Sequence, residues 1–217
     1  MSASCCDHDH ADDDRVQRDT AYRRVLWAVL TINATMFVAE VVAGLAAGSV
    51  SLQADALDFL GDAANYAISL AVVGMALRYR AAAALTKGIT MALFGAWVIG
   101  TAIWHVVSGT VPEPITMGAV GFAALAANLA SFGLLWAHRG GDANRRSVWL
   151  CTRNDVLGSL AVLCAAFGVF GTGAGWPDIV VAVTMAGLAL QGSFVVIRQS
   201  RRELQPLAQA LPRERPI

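Results

Sequence analysis

The sequence predicts an all-α, polytopic membrane protein of six transmembrane helices with both termini in the cytoplasm. Three observations lead there. Of the 217 residues, 56% are hydrophobic and only 15% charged, with a mean hydropathy of +0.54, whereas a soluble domain carries about 25% charged residues. Six stretches reach the ~20 apolar residues that a bilayer core requires: 25–46, 52–77, 86–110, 115–137, 147–170 and 177–197. The basic residues alternate from one connection to the next, and basic loops stay in the cytoplasm. Arg15, Arg18, Arg23 and Arg24 precede the first helix. Arg78, Arg80 and Lys87 flank the second connection, Arg139, Arg145 and Arg146 the fourth, and Arg198, Arg201 and Arg202 follow the last helix. Connections 47–51, 111–114 and 171–176 contain no Lys or Arg. The net charge of zero adds nothing.

Residues 1–24 read as a cytoplasmic disordered tail, polar and acidic, without the apolar stretch of a secretory signal. Within it, "CCDHDH" gathers Cys5, Cys6, His8 and His10 among several aspartates. Short Cys/His tracts bind soft or borderline metals, so these four residues form a candidate tail site. Disorder alone is the plainer reading. Thiols in the cytoplasm stay reduced, which argues against a disulfide framework. Residues 25–202 form a single transmembrane domain, and 203–217 a short cytoplasmic tail. Pro206 and Pro212 argue there against a long terminal helix.

In the first helix, Asn33 and Glu40 share a face at i, i+7. The second helix holds the main anomaly, three carboxylates in an otherwise apolar run: Asp55, Asp58 and Asp62. Ionisable residues inside a membrane usually face the bundle interior and mark a pathway. Asp58 and Asp62, at i, i+4, lie about 40° apart around the helix and about 6 Å apart along it. Such a pair is tolerable only with a bound cation or a proton. Asp55, four residues from the outer end, reads as a polar contact between helices or a residue near the interface rather than a ligand. His105, near the outer end of the third helix, reads as interfacial too.

The fifth helix repeats the spacing with Cys151 and Asp155. A membrane cysteine alone is usually packing, but its i, i+4 relation to Asp155 makes it a candidate ligand. If the two antiparallel helices lie side by side, Asp58 faces Asp155 and Asp62 faces Cys151. Three carboxylates and a thiolate are four donors suited to a tetrahedral divalent ion. Gly61 and Gly158 would let the helices approach closely. Asn154 is a candidate for orienting a ligand. Arg153 points off the metal stripe and can snorkel to the cytoplasmic surface. Cys164 reads as packing. "DFLGDAANYAISLAVV" of the second helix weakly echoes "CTRNDVLGSLAVLCA" of the fifth, in the manner of a three-plus-three inverted repeat.

"AEVVAGLAAGSVSLQADALDFLGD" resembles the first-to-second helix region of the cation diffusion facilitator family. In that family a Gly-Ser-rich turn leads into a helix with a His-x-x-x-Asp or Asp-x-x-x-Asp metal pair. "RRSVWLCTRNDVLGSLAVL" is similar to its fifth helix, which commonly carries a second His-x-x-x-Asp pair. The resemblance covers all six helices. It implies a proton-coupled exporter of divalent metals with Asp58, Asp62, Cys151 and Asp155 as the transport site. It also suggests that Asn33 and Glu40 line the interior, with Glu40 as a proton holder. Two departures stand out: Cys151 replaces the usual His, and the family's usual cytoplasmic C-terminal domain is absent, which implies a short form. That domain often supports dimerisation and metal sensing, so a homodimer is an open expectation here.

The function expected is proton-coupled efflux of zinc or cadmium, with cobalt and nickel as further candidates, in a bacterial inner membrane. A thiolate softens the site and disfavours magnesium and calcium. Metal binding requires deprotonated ligands, so protons and metal compete for one site. The partners are then divalent metal ions, protons and the lipid bilayer, with no prosthetic group and no nucleic acid. There is no P-loop or other ATP motif. The rival reading is a non-transporting membrane metal-binding or sensor protein. An enzyme fits less well, because a fully protein-ligated site leaves no open position for an activated water.

Overall fold

A computed structural model of the chain describes residues 6–71, 77–136 and 143–209. They form six helices: α1 (Cys6–Ala47), α2 (Val50–Ala71), α3 (Leu77–Ser108), α4 (Pro114–Trp136), α5 (Ala143–Thr172) and α6 (Trp176–Gln209). Five of them contain stretches long and apolar enough to cross a membrane: Thr20–Ala47, Ala81–Ser108, Pro114–Trp136, Asp155–Thr172 and Trp176–Leu204. The exception, α2, holds the three aspartates. It sits at the centre of the bundle, and every side chain from Val50 to Leu57 is buried. Its apolar residues contribute to three separate clusters. Val50 and Ala54 pack with Val98 of α3 and Ala182 of α6, Leu52 with Met117 of α4 and Val162 of α5, and Tyr66 with Leu26 of α1 and Leu135 of α4. Large apolar side chains on the outside, such as Trp97, Val107, Phe122, Phe167 and Leu188, present a lipid-compatible surface. This is a polytopic membrane protein whose aspartate-bearing helix packs among the other five.

The ends of the chain differ from the sequence expectation. α1 begins at Cys6, so it extends through most of the segment read as a disordered tail. α6 continues past Pro206 to Gln209. A proline in the last turn removes a single backbone bond near an end that is already losing its partners.

Three short turns define one end of the bundle, at residues 48–49, 109–113 and 173–175. Gly48, Gly109 and Gly173 all have positive φ, near 60–65°, which ends a helix without a Cβ clash. The three turns are joined to one another. The Glu113 amide donates to the Ala47 carbonyl at 2.9 Å, and Gly175 lies directly against the Thr110 carbonyl, leaving no room for a side chain. Glu113 also caps α4, accepting from the amides of Ile115 at 3.0 Å and Thr116 at 2.6 Å. The bonds from Thr116 hold this exposed carboxyl below its usual range.

The start of α2 is capped from the far end of the chain. Asp178, in the first turn of α6 and fully buried, accepts from the Val50 amide at 2.8 Å, the Ser51 amide at 3.0 Å and the Ser49 hydroxyl at 2.8 Å. Ser49 in turn accepts from the Leu52 amide at 3.2 Å. Four otherwise orphaned donors at a helix start are thereby satisfied.

Candidate metal centre

The four predicted ligands divide into those whose side chains are described and one whose side chain is not. Asp58 and Asp62 lie on α2 and Asp155 on α5, all half-buried. The side chain of Cys151 lies outside the described residues, as do those of Arg153 and Asn154. In the tail, Cys5 lies outside the described residues, and so do the side chains of Cys6, His8 and His10.

α2 and α5 bring their carboxyl groups together. Asp155 approaches Asp62 to hydrogen-bonding range and lines one cavity with Asp58. A second oxygen of Asp155, Oδ2, is buried without a hydrogen-bond partner. Asp62 is oriented by the buried Tyr66 hydroxyl, which donates to its Oδ2 at 3.1 Å. Among the described residues, no three Asp, Glu, His or Cys side chains close around one point as a metal would require. The fourth expected donor, Cys151, is not among them.

A cavity of about 540 Å³ lies between α2, α3, α5 and α6, with Asp58, Asp155 and Lys87 as its charged lining. Gly158 keeps this space open: a Cβ there would stand 3.6 Å from Asp58 Oδ2 and 3.8 Å from Asp55 Oδ1. Of the two glycines expected to let α2 and α5 approach, Gly158 lies against α2, whereas Gly61 faces Met91 of α3. The close approach involving α2 is at Gly44 of α1, where a Cβ would lie 3.2 Å from the Gln53 amide nitrogen. Lys87 donates to the Asn65 side-chain carbonyl, and its charge acts on both Asp58 and Asp62.

One helical turn from Asp58, towards the short-turn end, is a second polar cluster. Asp55 is 1% exposed and accepts at Oδ2 from the Ser159 hydroxyl at 3.2 Å. The Asn128 amide group donates to Ser159 Oγ at 3.0 Å and to the Asp155 carbonyl at 3.3 Å. Glu40 of α1 is fully buried beside Asp55. Asp55 is therefore an interior residue in a polar contact between helices, not one near the membrane interface. Asn33 is also buried, but it donates to the Val29 carbonyl of its own helix at 2.8 Å. Cys164, expected to pack, is exposed on the outside of α5. Asn128, Ser159 and Tyr66 were not singled out by sequence. Each is a lone polar residue in an apolar run, and only the matching positions on neighbouring helices reveal it.

Fold and site together define an integral membrane protein with carboxylates gathered at the centre of its helix bundle. Residues 26–205 match the cation efflux transmembrane domain, and the chain belongs to that family, a family of membrane transporters. It is similar to the zinc transporter ZitB of Pectobacterium atrosepticum, with 30% identity over 215 residues, 91% of this chain and 63% of that protein. The metal cation efflux system protein CzcD of Cupriavidus metallidurans is 28% identical over 189 residues, 82% of this chain and 60% of that protein. A Bacillus subtilis protein named as a cadmium, cobalt and zinc/H(+)-K(+) antiporter is 24% identical, over 83% of this chain and 62% of its own length. The chain thus spans less than two thirds of the length of these relatives.

Proposed function

We propose that the chain exports divalent transition-metal cations from the cytoplasm in exchange for protons. Zinc and cadmium are the favoured cargo, and Asp58, Asp62, Cys151 and Asp155 form the transport site. The observation that carries this reading is the meeting of the α2 and α5 carboxylates beside a cavity that Asp58 and Asp155 line. Three carboxylates and a thiolate match a borderline-soft divalent ion. Such ligands give up protons when metal binds, so a proton gradient can drive metal out if the site opens to each side in turn. The zinc, cadmium and cobalt in the names of the relatives support the cargo class, and the H(+) in one name supports the coupling.

In this reading the short-turn end faces away from the cytoplasm, both chain termini lie inside, and the membrane is the bacterial inner membrane. A homodimer is the proposed assembly. The Cys5, Cys6, His8 and His10 cluster captures metal on the cytoplasmic side, and Asn154 orients a ligand. Arg153 stands at the cytoplasmic surface, outside the metal site.

The test is zinc flux into proteoliposomes under an imposed pH gradient. Wild-type protein should move zinc, and Asp58→Asn and Asp155→Asn should each abolish flux while leaving insertion and folding intact. Metal binding without flux in the wild type would favour a non-transporting metal-binding or sensor protein. Undiminished flux in either variant would remove that residue from the site.

A further inference from the structure

Lys87 lies inside the Ala81–Ser108 span of α3. A lysine near the end of a membrane helix ordinarily extends its stem outward, to water or lipid headgroups. Here the side chain is half-buried and turned into the bundle. Its ammonium group donates to the side-chain carbonyl of Asn65 on α2, about one turn beyond Asp62 and on the side away from the short turns. It lines the same cavity as Asp58 and Asp155, and both Asp58 and Asp62 feel its charge. Its neighbour Gly88 stands against Val196 and Ile197 of α6, which fixes its level in the bundle. Val196 and Ser193 line that part of the cavity, and Ala54 and Met185 the part nearer the short turns. An ion that reaches Asp58 and Asp155 along the cavity from the Val196 side therefore passes the lysine.

We propose that Lys87 is a tethered counter-ion of the transport site, a cation of the protein's own that competes with the metal, weakens its binding and speeds its release. The inference rests on the transport reading above and deepens it by naming what limits the affinity of that site. Ionised carboxylates gathered in a low-dielectric interior repel one another and need compensating charge. Three carboxylates and a thiolate carry twice the charge of a divalent ion, and such a site alone would hold its cargo tightly. Flux needs release as well as capture. Lys87 removes part of the excess charge. A charged lysine has no lone pair to offer, so it opposes the metal without coordinating it. Its bond to Asn65 keeps the charge beside the carboxylates instead of letting it swing out to the membrane surface.

Zinc affinity is measured by calorimetric titration of the full-length protein in detergent at fixed pH, and zinc flux in proteoliposomes under a fixed pH gradient. Lys87→Gln should bind zinc about tenfold more tightly, with the KM for zinc and the maximal flux both lowered. Lys87→Met, which keeps the stem without the charge, should do the same, and it serves if the first variant fails to fold. Lys87→Arg keeps the charge and should move the affinity less than either. A lysine that only packs the cavity would give the opposite sign, with weaker binding on its loss. Zinc affinity in Lys87→Gln and Lys87→Met equal to or weaker than that of wild type would overturn the proposal. The transport reading would still stand in that case if Asp58→Asn and Asp155→Asn abolish flux. Unchanged zinc affinity in Asp58→Asn and Asp155→Asn would overturn the site assignment, and the counter-ion role with it.

Discussion

At the residue scale, the Asp58/Asp62 pair was legible because both members lie on one stripe of one helix. Asp58, Asp62 and Asp155 are ionisable groups in apolar runs, and their placement inside the bundle follows from their cost in lipid. Asp55 was read as a polar contact between helices or a residue near the interface; its bond with Ser159 is the first, and its burial excludes the second. α2 is buried on every side over its first two turns, so nearness to an end says nothing about nearness to water there. Cys151 should set metal preference more than transport itself. Cys151→His should keep zinc flux and lower the preference for cadmium, since imidazole is a harder donor than thiolate. Cys151→Ser should weaken both metals, cadmium more. Competitive zinc and cadmium flux in vesicles at a fixed pH gradient measures this, and an unchanged ratio in both variants would remove Cys151 from the ligand set. Tyr66 offers a subtler test. Tyr66→Phe removes the hydroxyl that orients Asp62, and should weaken zinc binding about tenfold while sparing the fold. Calorimetric titration of the purified variant reads that change directly.

At the scale of elements, helix existence and order were legible, and helix ends were less so. The seam of α1 shows why the core could be read: Tyr22, Leu26, Val29, Asn33 and Glu40 are all buried, at spacings of four, three, four and seven. The capping of α2 was not legible. An acidic residue in the first turn of α6 reads as a partner of that helix's own dipole, yet Asp178 serves the amides of another helix. Asp178→Ala would leave two buried amides and the Ser49 hydroxyl without their acceptor, at about 1–3 kcal/mol for each unpaired group. The variant should unfold at a clearly lower temperature in detergent, as followed by circular dichroism. Asp178→Asn keeps an acceptor oxygen and should fall between the two. Equal stability of wild type and Asp178→Ala would show that water or another group can replace the cap.

At the scale of the whole molecule, the bundle is joined at one end and indented by a cavity in its body. The 48–49, 109–113 and 173–175 turns are tied by backbone bonds and close packing. The cavity between α2, α3, α5 and α6 extends instead along Lys87, Met91 and Val196. In the proposed topology, which the alternation of basic residues supports, the tied end faces outward. A reporter fused after Ile217 should therefore be active if it works only in the cytoplasm and silent if it works only outside. A reporter placed in the 173–175 turn should give the reverse. Agreement of both fusions with one side of the membrane would overturn the assigned topology. The mean hydropathy and six apolar runs made the membrane class plain from sequence. The polar contacts between helices were not, because they depend on rotations about helix axes that no single run of residues encodes.

The Asp178 cap also has a consequence for the order in which the protein is built. Val50 and its acceptor are 128 residues apart in the chain, and nearly everything between them must be synthesised before the two meet. Until α6 is made, the helix that bears the aspartates has its first amides open and one wall of its sheath missing. The cap of an early helix therefore waits on a segment made long after it.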